Sequence, residues 1–263
     1  MTASLGGASG KPSGIGAFFD FDSTILPAPS LEWRFVGFLL ERHQLNTAHA
    51  TSWLAHFAKN ILLRPHEATD ANKQYLAGLR ESLGRDWALA AMAAYELAEE
   101  PIFFPDAMAR IAWHQSQGHR VCIVSGTLAV LAREILHRLP APIDMIATEL
   151  ETAQGFLPDR DQCEAVWTGN LTGEHMTGRT KARAVRHFAR KHELELSECY
   201  AYGDRRADLP MLECVGNPIA VNPSRRLHRI ALENGWQSVC WKPSNEPRRI
   251  PAGRDPMAPK AAL

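Results

Sequence analysis

Residues 17–24 constrain the fold of this chain more than any other segment. An apolar run from Ala17 to Phe19 leads directly into two acids, Asp20 and Asp22. Such a run predicts a buried strand, and open α/β sheets place their chemistry just beyond the carboxyl ends of their strands. Because residues two apart in a strand share one face, both carboxylates can converge on one ligand or one cation. The segment therefore predicts a functional site at a strand end.

Composition narrows the classes of partner. The chain has 263 residues, enough for one α/β core and a smaller accessory unit. Its 29 basic and 29 acidic residues cancel, so we expect no binding to nucleic acid or to an anionic membrane, and a small soluble ligand instead. The five cysteines form no CxxC pair, which argues against a zinc site or a disulfide framework. Without a membrane-length apolar run or a secretory signal, we expect a cytoplasmic protein.

The spacing of apolar residues divides the chain into a core, an insert and two tails. Residues 1–16 and 243–263 are rich in glycine or proline and predict flexible tails. Residues 31–99 show helical spacing throughout, which predicts an inserted helical cap domain of about four helices. Residues 17–30 and 100–242 alternate strands with helices, so they predict βαβ units in a doubly wound, mostly parallel sheet of the α/β class.

Within the core, the predicted elements follow one another at regular intervals. Besides the opening segment, strands are expected at 120–125, 143–148, 199–203, 218–221 and 236–240, and helices at 128–138, 181–191, 209–214 and 227–233. Residues 149–171 are less regular, and their glycines and a proline predict a hairpin insertion.

Four ordered motifs give the chain a family resemblance. They are DFDST at 20–24, SGT at 125–127, GRTK at 178–181 and GDRRAD at 203–208. With these motifs the sequence resembles the haloacid dehalogenase-like hydrolases, specifically subfamily IB, the phosphoserine phosphatase-like branch. The first motif alone is weak evidence, but four motifs in order, three of them at the ends of predicted strands, are strong evidence.

The resemblance implies a role for each motif residue in phosphoryl transfer. Asp20 is implied as the nucleophile that forms an aspartyl-phosphate, and Asp22 as the acid that protonates the leaving group and then activates water. Ser125 with the Gly126 amide is implied to bind phosphate oxygens, and Thr24 and Thr127 would add hydroxyl donors. The side chain of Lys181 would place a positive charge against the phosphate.

The resemblance also implies a magnesium ion, because a cluster of hard carboxylate oxygens suits Mg²⁺. The expected protein ligands are Asp20, the backbone carbonyl of Asp22, and Asp204, with Asp208 behind them and supporting the site. As a simpler alternative, Asp208 is an acid in the first turn of a helix.

Substrate recognition departs from the family pattern. Phosphoserine phosphatases carry an early glutamate where this chain has Pro29, so Glu32 and Arg34 are candidate substitutes for contacting the substrate. Arg205, together with Arg206, replaces small residues of the fourth motif; the pair either binds a second anionic group of the substrate or forms surface ion pairs. His175 precedes Lys181 by six residues and is interpreted as a loop histidine.

Aromatic residues are frequent in the predicted insert, and two interpretations fit them. They either line a pocket for a choline-like cation or simply pack a helical bundle, which explains them at least as well. The residues concerned are Trp33, Trp53, Phe57, Trp87 and Tyr95.

Together these expectations describe a Mg²⁺-dependent phosphatase that hydrolyses a small phosphorylated metabolite, a phosphomonoester, through an aspartyl-phosphate. A phosphotransferase or phosphomutase of the same superfamily is the nearest alternative, since it would share the intermediate but pass the phosphoryl group to an alcohol or sugar. A catalytically inactive scaffold that binds a partner through the insert is the alternative outside the enzymes.

Overall fold

Six parallel strands form the central sheet of the computed structural model, which describes residues 14–63, 73–97, 102–139, 142–157 and 162–243. Their order across the sheet is β3-β2-β1-β6-β7-β8, and the remaining two strands form a separate antiparallel hairpin. The strands are β1 (Gly16–Phe19), β2 (Arg120–Leu128), β3 (Asp144–Thr148), β4 (Leu150–Leu157), β5 (Gln162–Leu171), β6 (Tyr200–Gly203), β7 (Asn217–Val221) and β8 (Gln237–Val239).

Helices cover both faces of this sheet, which confirms the doubly wound α/β prediction. The helices are α1 (Leu31–Glu41), α2 (Thr47–Leu63), α3 (Glu81–Leu97), α4 (Pro105–Ser116), α5 (Ala129–Leu136), α6 (Arg179–Lys191), α7 (Leu209–Leu212) and α8 (Arg225–Glu233), with 3-10 turns at Lys73–Leu76 and Arg206–Asp208. Helix α4 had no counterpart among the predicted elements. Strand β1 begins at Gly16, the last residue of the segment predicted as a tail, and continues through the predicted strand, while residues 1–13 and 244–263 lie outside the described residues.

Alternating residues of each strand separate the hydrophobic core into two layers. On one face Phe18 packs edge-on against Phe188 of α6, with ring centroids 5.9 Å apart. On the other face Phe19 stacks on Tyr202 of β6 at 4.2 Å, in the layer that also contains α4 and α5. Because burial of one phenylalanine side chain contributes roughly 1.5–3 kcal/mol, these two layers fix the sheet between its helices.

The helices α1 to α3 lie between β1 and β2 in the chain. Helix α1 buries Leu31, Phe35 and Leu39 on one face, and Phe35 contacts the ring of Trp167 in β5 edge-on at 6.0 Å. The predicted hairpin insertion is confirmed as β4 and β5, and the amide of Trp167 donates to the carbonyl of Leu79 at 2.9 Å. The hairpin therefore packs against the inserted helices.

The aromatic residues of the insert differ in their environments. Trp87 is buried and packs 5.7 Å from the ring of Phe35, as helix packing requires, whereas Trp33 is 72% exposed. The side chains of Phe57 and Tyr95 lie outside the described part of the structure. In the described ranges no helix combines the length and the apolar character needed to cross a membrane.

Candidate active site

The site forms where the strand order reverses between β1 and β6. The chain adds β2 and β3 on one side of β1 and then returns to place β6 on the other side. Ligands of open α/β sheets bind outside the carboxyl ends of the strands at this position. Asp20 follows β1, its amide donates to the carbonyl of Tyr202 in β6 at 2.9 Å, and Asp204 follows β6. The topology thus brings together two acids separated by more than half of the chain.

Lys181, in the first turn of α6, connects these strand ends. Its ammonium donates to Oδ1 of Asp20 at 2.5 Å and to Oδ1 of Asp208 at 2.6 Å, and all three side chains are buried. Burial alone would lower the pKa of Lys181, but the two carboxylates raise it above its ordinary value. The lysine is therefore a fixed positive charge beside the expected nucleophile.

Asp208 also shapes the backbone of the fourth motif. Its Oδ2 accepts the amides of Asp204 and Arg205 at 3.2 and 3.1 Å. This close approach requires a glycine at position 203, because a Cβ there would lie 2.6 Å from the Cβ of Asp208. Asp208 thus holds both Lys181 and the loop that carries Asp204.

The acids Asp20, Asp204 and Asp208 form one buried cluster, in which one ligand atom from each lies within 4.8 Å of the others. Burial, followed by the charge of Asp208, raises the pKa of Asp20 and brings that of Asp204 to about 6. Oδ1 of Asp204 is buried and has no hydrogen-bond partner among the described residues. An unsatisfied carboxylate oxygen in such a cluster is the donor that a hard divalent cation needs, so these residues fit magnesium.

The carboxylate of Asp22 contacts two other parts of the chain. Its Oδ1 accepts the amide of Leu31, the first residue of α1, at 2.7 Å, and its Oδ2 accepts the hydroxyl of Thr127. Burial raises the pKa of Asp22, while these two donors oppose that shift. Asp22 is thus oriented jointly by the inserted helices and by the second motif.

The second motif interrupts the pairing of β2 with β3. The register shifts between Val124 and Leu128, across the SGT segment. Within it, the hydroxyl oxygen of Ser125 accepts the Thr127 amide at 3.1 Å, and both side chains are buried. Thr24 is also fully buried, and its hydroxyl has no hydrogen-bond partner in the described ranges. These groups surround the space beyond β1 and β2.

Residues considered for substrate recognition have clear partners. The guanidinium of Arg205 donates to Oδ2 of Asp204 at 3.0 Å, so this arginine lies at the edge of the acidic cluster. Arg34 donates to the carbonyl of Pro29 at 3.0 Å. His175, interpreted as a loop histidine, has its Nε2 3.3 Å from the carbonyl oxygen of Gly126, so it lies beside the second motif.

Glu32 belongs to a buried polar cluster that was not foreseen from the sequence. Its two carboxylate oxygens accept the ammonium of Lys73 at 2.5 and 2.6 Å, and Oε1 also accepts the Tyr75 hydroxyl at 2.6 Å. Burial would raise the pKa of Glu32, but these partners bring it below its ordinary value. Forty-one residues separate Glu32 from Lys73, and no local pattern in the sequence signals this pairing. The contact of Thr127 with Asp22 was likewise missed, because this hydroxyl was expected near phosphate.

Proteins of known sequence or structure resemble this chain over most of its length. One relative, named an inhibition of morphological differentiation protein, from Streptomyces azureus, is 32% identical over 92% of this chain and 84% of its own. A protein of Mycobacterium tuberculosis named a phosphoserine phosphatase is 31% identical over 89% and 73%, respectively. A solved structure of a Bordetella pertussis protein of unknown function covers 86% of this chain and 98% of its own with a TM-score of 0.66; at 24% identity it supports the fold alone.

The family model of the haloacid dehalogenase-like hydrolases matches residues 17–213, which include all four motifs. This match confirms the predicted enzyme class, and relatives named as phosphatases agree with the predicted branch. The chain therefore belongs to the haloacid dehalogenase-like hydrolases.

Proposed function

We propose that this hydrolase is a Mg²⁺-dependent phosphatase that cleaves a small-molecule phosphomonoester through an aspartyl-phosphate on Asp20. The observation that carries the proposal is the contact of Lys181 with both Asp20 and Asp208 next to the unsatisfied Oδ1 of Asp204. Three carboxylates, those of Asp20, Asp204 and Asp208, pair with two cations, Lys181 and Arg205. If all five groups are ionised, one negative charge remains, and a divalent cation would neutralise it and leave a positive charge for the phosphate.

Magnesium bound at this site would be held by Asp20, Asp204 and the backbone carbonyl of Asp22, and it would neutralise charge on the phosphate oxygens. Asp208 would remain with Lys181 and the amides of its own loop. The binding of a cation would also lower the raised pKa values of Asp20 and Asp204, because it favours their charged forms.

The chain's own residues account for both chemical steps. A carboxylate oxygen of Asp20 attacks phosphorus, the bond to the alcohol oxygen breaks, and protonated Asp22 gives its proton to that oxygen. Ionised Asp22 then takes a proton from water as the water attacks phosphorus, which releases phosphate and restores Asp20. Lys181 and the hydroxyl of Ser125 stabilise the phosphoryl oxygens throughout.

The inserted helices, residues 31–97, act in this proposal as the cap that excludes bulk water and selects the alcohol. The Leu31 amide on Asp22 supports this role, since the first residue of α1 directly orients the acid. The relative named a phosphoserine phosphatase makes phosphoserine the first ester to assay.

The test measures phosphate release from a panel of phosphate esters by the wild type, by Asp20→Asn and by a control, Glu233→Gln. Glu233 is an exposed acid on α8, so the control removes a carboxylate far from the site. We expect Mg²⁺-dependent release that EDTA abolishes, that Asp20→Asn abolishes without unfolding, and that Glu233→Gln retains.

Two results would contradict this function. Transfer of the phosphoryl group to added glycerol or a sugar, without release of inorganic phosphate, would indicate a phosphotransferase. Absence of hydrolysis across the whole panel, in folded protein with Mg²⁺ present, would indicate a scaffold.

A further inference from the structure

A groove of about 710 Å³ runs between α1 and α2 in the inserted helices. Most of its wall is apolar, and it is formed by Trp33, Val36, Leu40, Leu45, Ala50 and Trp53. Trp33 and Leu40 are 72% and 56% exposed, although large apolar side chains are usually covered when they lie together. The groove is therefore a surface on which an apolar ligand would gain from burial.

The polar end of this groove is formed by the two residues that flank the contact of α1 with the proposed acid. Ser30 and Glu32 line that end, and between them Leu31 donates its amide to Oδ1 of Asp22 at 2.7 Å. A group that Asp22 protonates would therefore leave phosphorus at the N-terminal end of α1, where Ser30 and Glu32 line the groove.

The negative charge of Glu32, at the polar end of the groove, already has partners within the protein. Lys73 and Tyr75 donate three hydrogen bonds to the carboxylate of Glu32, and Lys73 is only 2% exposed. A substrate ammonium would have to displace Lys73 or Tyr75 to reach Glu32. The groove therefore favours a neutral, apolar ligand over a choline-like cation.

We propose that the α1–α2 groove binds the leaving-group alcohol of the substrate, and that this alcohol carries an extended apolar or aromatic chain. The inference rests on the proposed phosphatase function and adds the substrate class to it. The phosphate lies among Asp20, Ser125 and Lys181, the ester oxygen faces Asp22, and the chain of the alcohol follows α1 from Glu32 towards Leu40.

A homologous series of n-alkyl phosphates, from ethyl to octyl, tests the proposal in the Mg²⁺-loaded full-length protein. Transfer of one methylene from water into the groove predicts a rise in kcat/KM of about two- to fourfold per carbon. The n-alkyl phosphonates, which contain no cleavable ester, should show the same trend in their dissociation constants by calorimetry. This second readout does not depend on turnover.

Two substitutions on α2 distinguish the effect of the groove from the effect of a large side chain elsewhere on the same helix. Ala50→Phe fills the groove and should flatten the dependence on chain length, so that the ratio of octyl to ethyl phosphate kcat/KM falls at least about tenfold. Ala48→Phe adds the same side chain to an exposed position of the same helix that does not line the groove. This control should keep the wild-type ratio.

Each other outcome overturns the proposal in a recognisable way. Hydrolysis of every ester at rates independent of chain length, with phosphonate affinities equally flat, would refute the groove assignment and leave the phosphatase function intact. Absence of hydrolysis on all esters would refute the phosphatase function and this inference with it. Dimerisation in sedimentation experiments that Ala50→Phe abolishes would assign the groove to a second copy of the chain.

Discussion

Replacement of Thr127 by valine tests how the chain holds its proposed acid and base. The substitution exchanges a buried hydroxyl for a methyl group of similar size, so it removes one donor from Asp22 and leaves the Leu31 amide in place. A hydrogen bond to a charged group contributes about 1.5–3 kcal/mol. In each chemical step that needs Asp22 as acid or base, loss of this contribution would lower the rate constant about 10- to 100-fold.

The choice of leaving group determines in which chemical step the lower rate constant of Thr127→Val is measured. Nitrophenolate departs without a proton, so the first step with p-nitrophenyl phosphate needs little help from Asp22, whereas hydrolysis of the aspartyl-phosphate needs it as a base. In stopped-flow measurements, Thr127→Val should retain a rapid burst of nitrophenolate and lose 10- to 100-fold in the steady state, as estimated above. With an alkyl phosphate both steps should slow.

Thr127→Ser is the matched control, because it keeps the hydroxyl and removes only the methyl group. It should restore most of the steady-state rate. If serine is as impaired as valine, or if valine slows the burst and the steady state equally, the hydroxyl does not act through Asp22 and the reasoning is refuted.

Three further predictions concern stability and geometry. Lys73→Met should destabilise the fold by about 1–3 kcal/mol in urea titrations, because the partly buried Glu32 carboxylate then keeps only its hydrogen bond from Tyr75, and adding Glu32→Gln should recover most of this loss. Burial holds the pKa of His114 at about 2 against 6.5 in the unfolded chain, so only the unfolded chain gains this proton as the pH falls. The wild type should therefore lose about 2 kcal/mol more than His114→Gln between pH 6.5 and 5. Gly203→Ala should displace Asp208 and lower kcat, whereas Gly37→Ala, where a Cβ meets open space, should not.

Much of the core was predictable because its signals are local. The apolar run before Asp20 and the alternation of strands with helices after residue 101 are visible within short windows. Three of the four motifs mark a strand or helix end, whereas the SGT segment lies within β2, which continues to Leu128. Parallel strands place their carboxyl ends at one edge, so the meeting of Asp20 with Asp204 follows from the fold class. Gly178 and Lys181 likewise mark the start of α6.

Apart from helix α4, the remaining features depend on contacts between distant residues. Helix α4 has no side-chain cap at Phe104, but Pro105 at its first position and Asp106 in its first turn are usual signals of a helix start, so this helix was predictable and was missed. The pairing of Glu32 with Lys73 spans 41 residues, and the contact of Asp22 with Thr127 spans 105, so neither leaves a local pattern. The partner of Arg205 is its neighbour Asp204, but sequence alone did not decide between a substrate contact and a surface ion pair.

The phosphorylated state of Asp20 is the central claim, and chemical trapping tests it most directly. Borohydride reduces an aspartyl-phosphate to homoserine, so protein quenched during turnover of p-nitrophenyl phosphate with Mg²⁺ can be reduced, digested and examined by mass spectrometry. We predict homoserine at position 20 and unmodified aspartate at positions 22, 204 and 208. Turnover without homoserine at position 20 would contradict an aspartyl-phosphate on Asp20. Homoserine at position 22, 204 or 208 would contradict it as well.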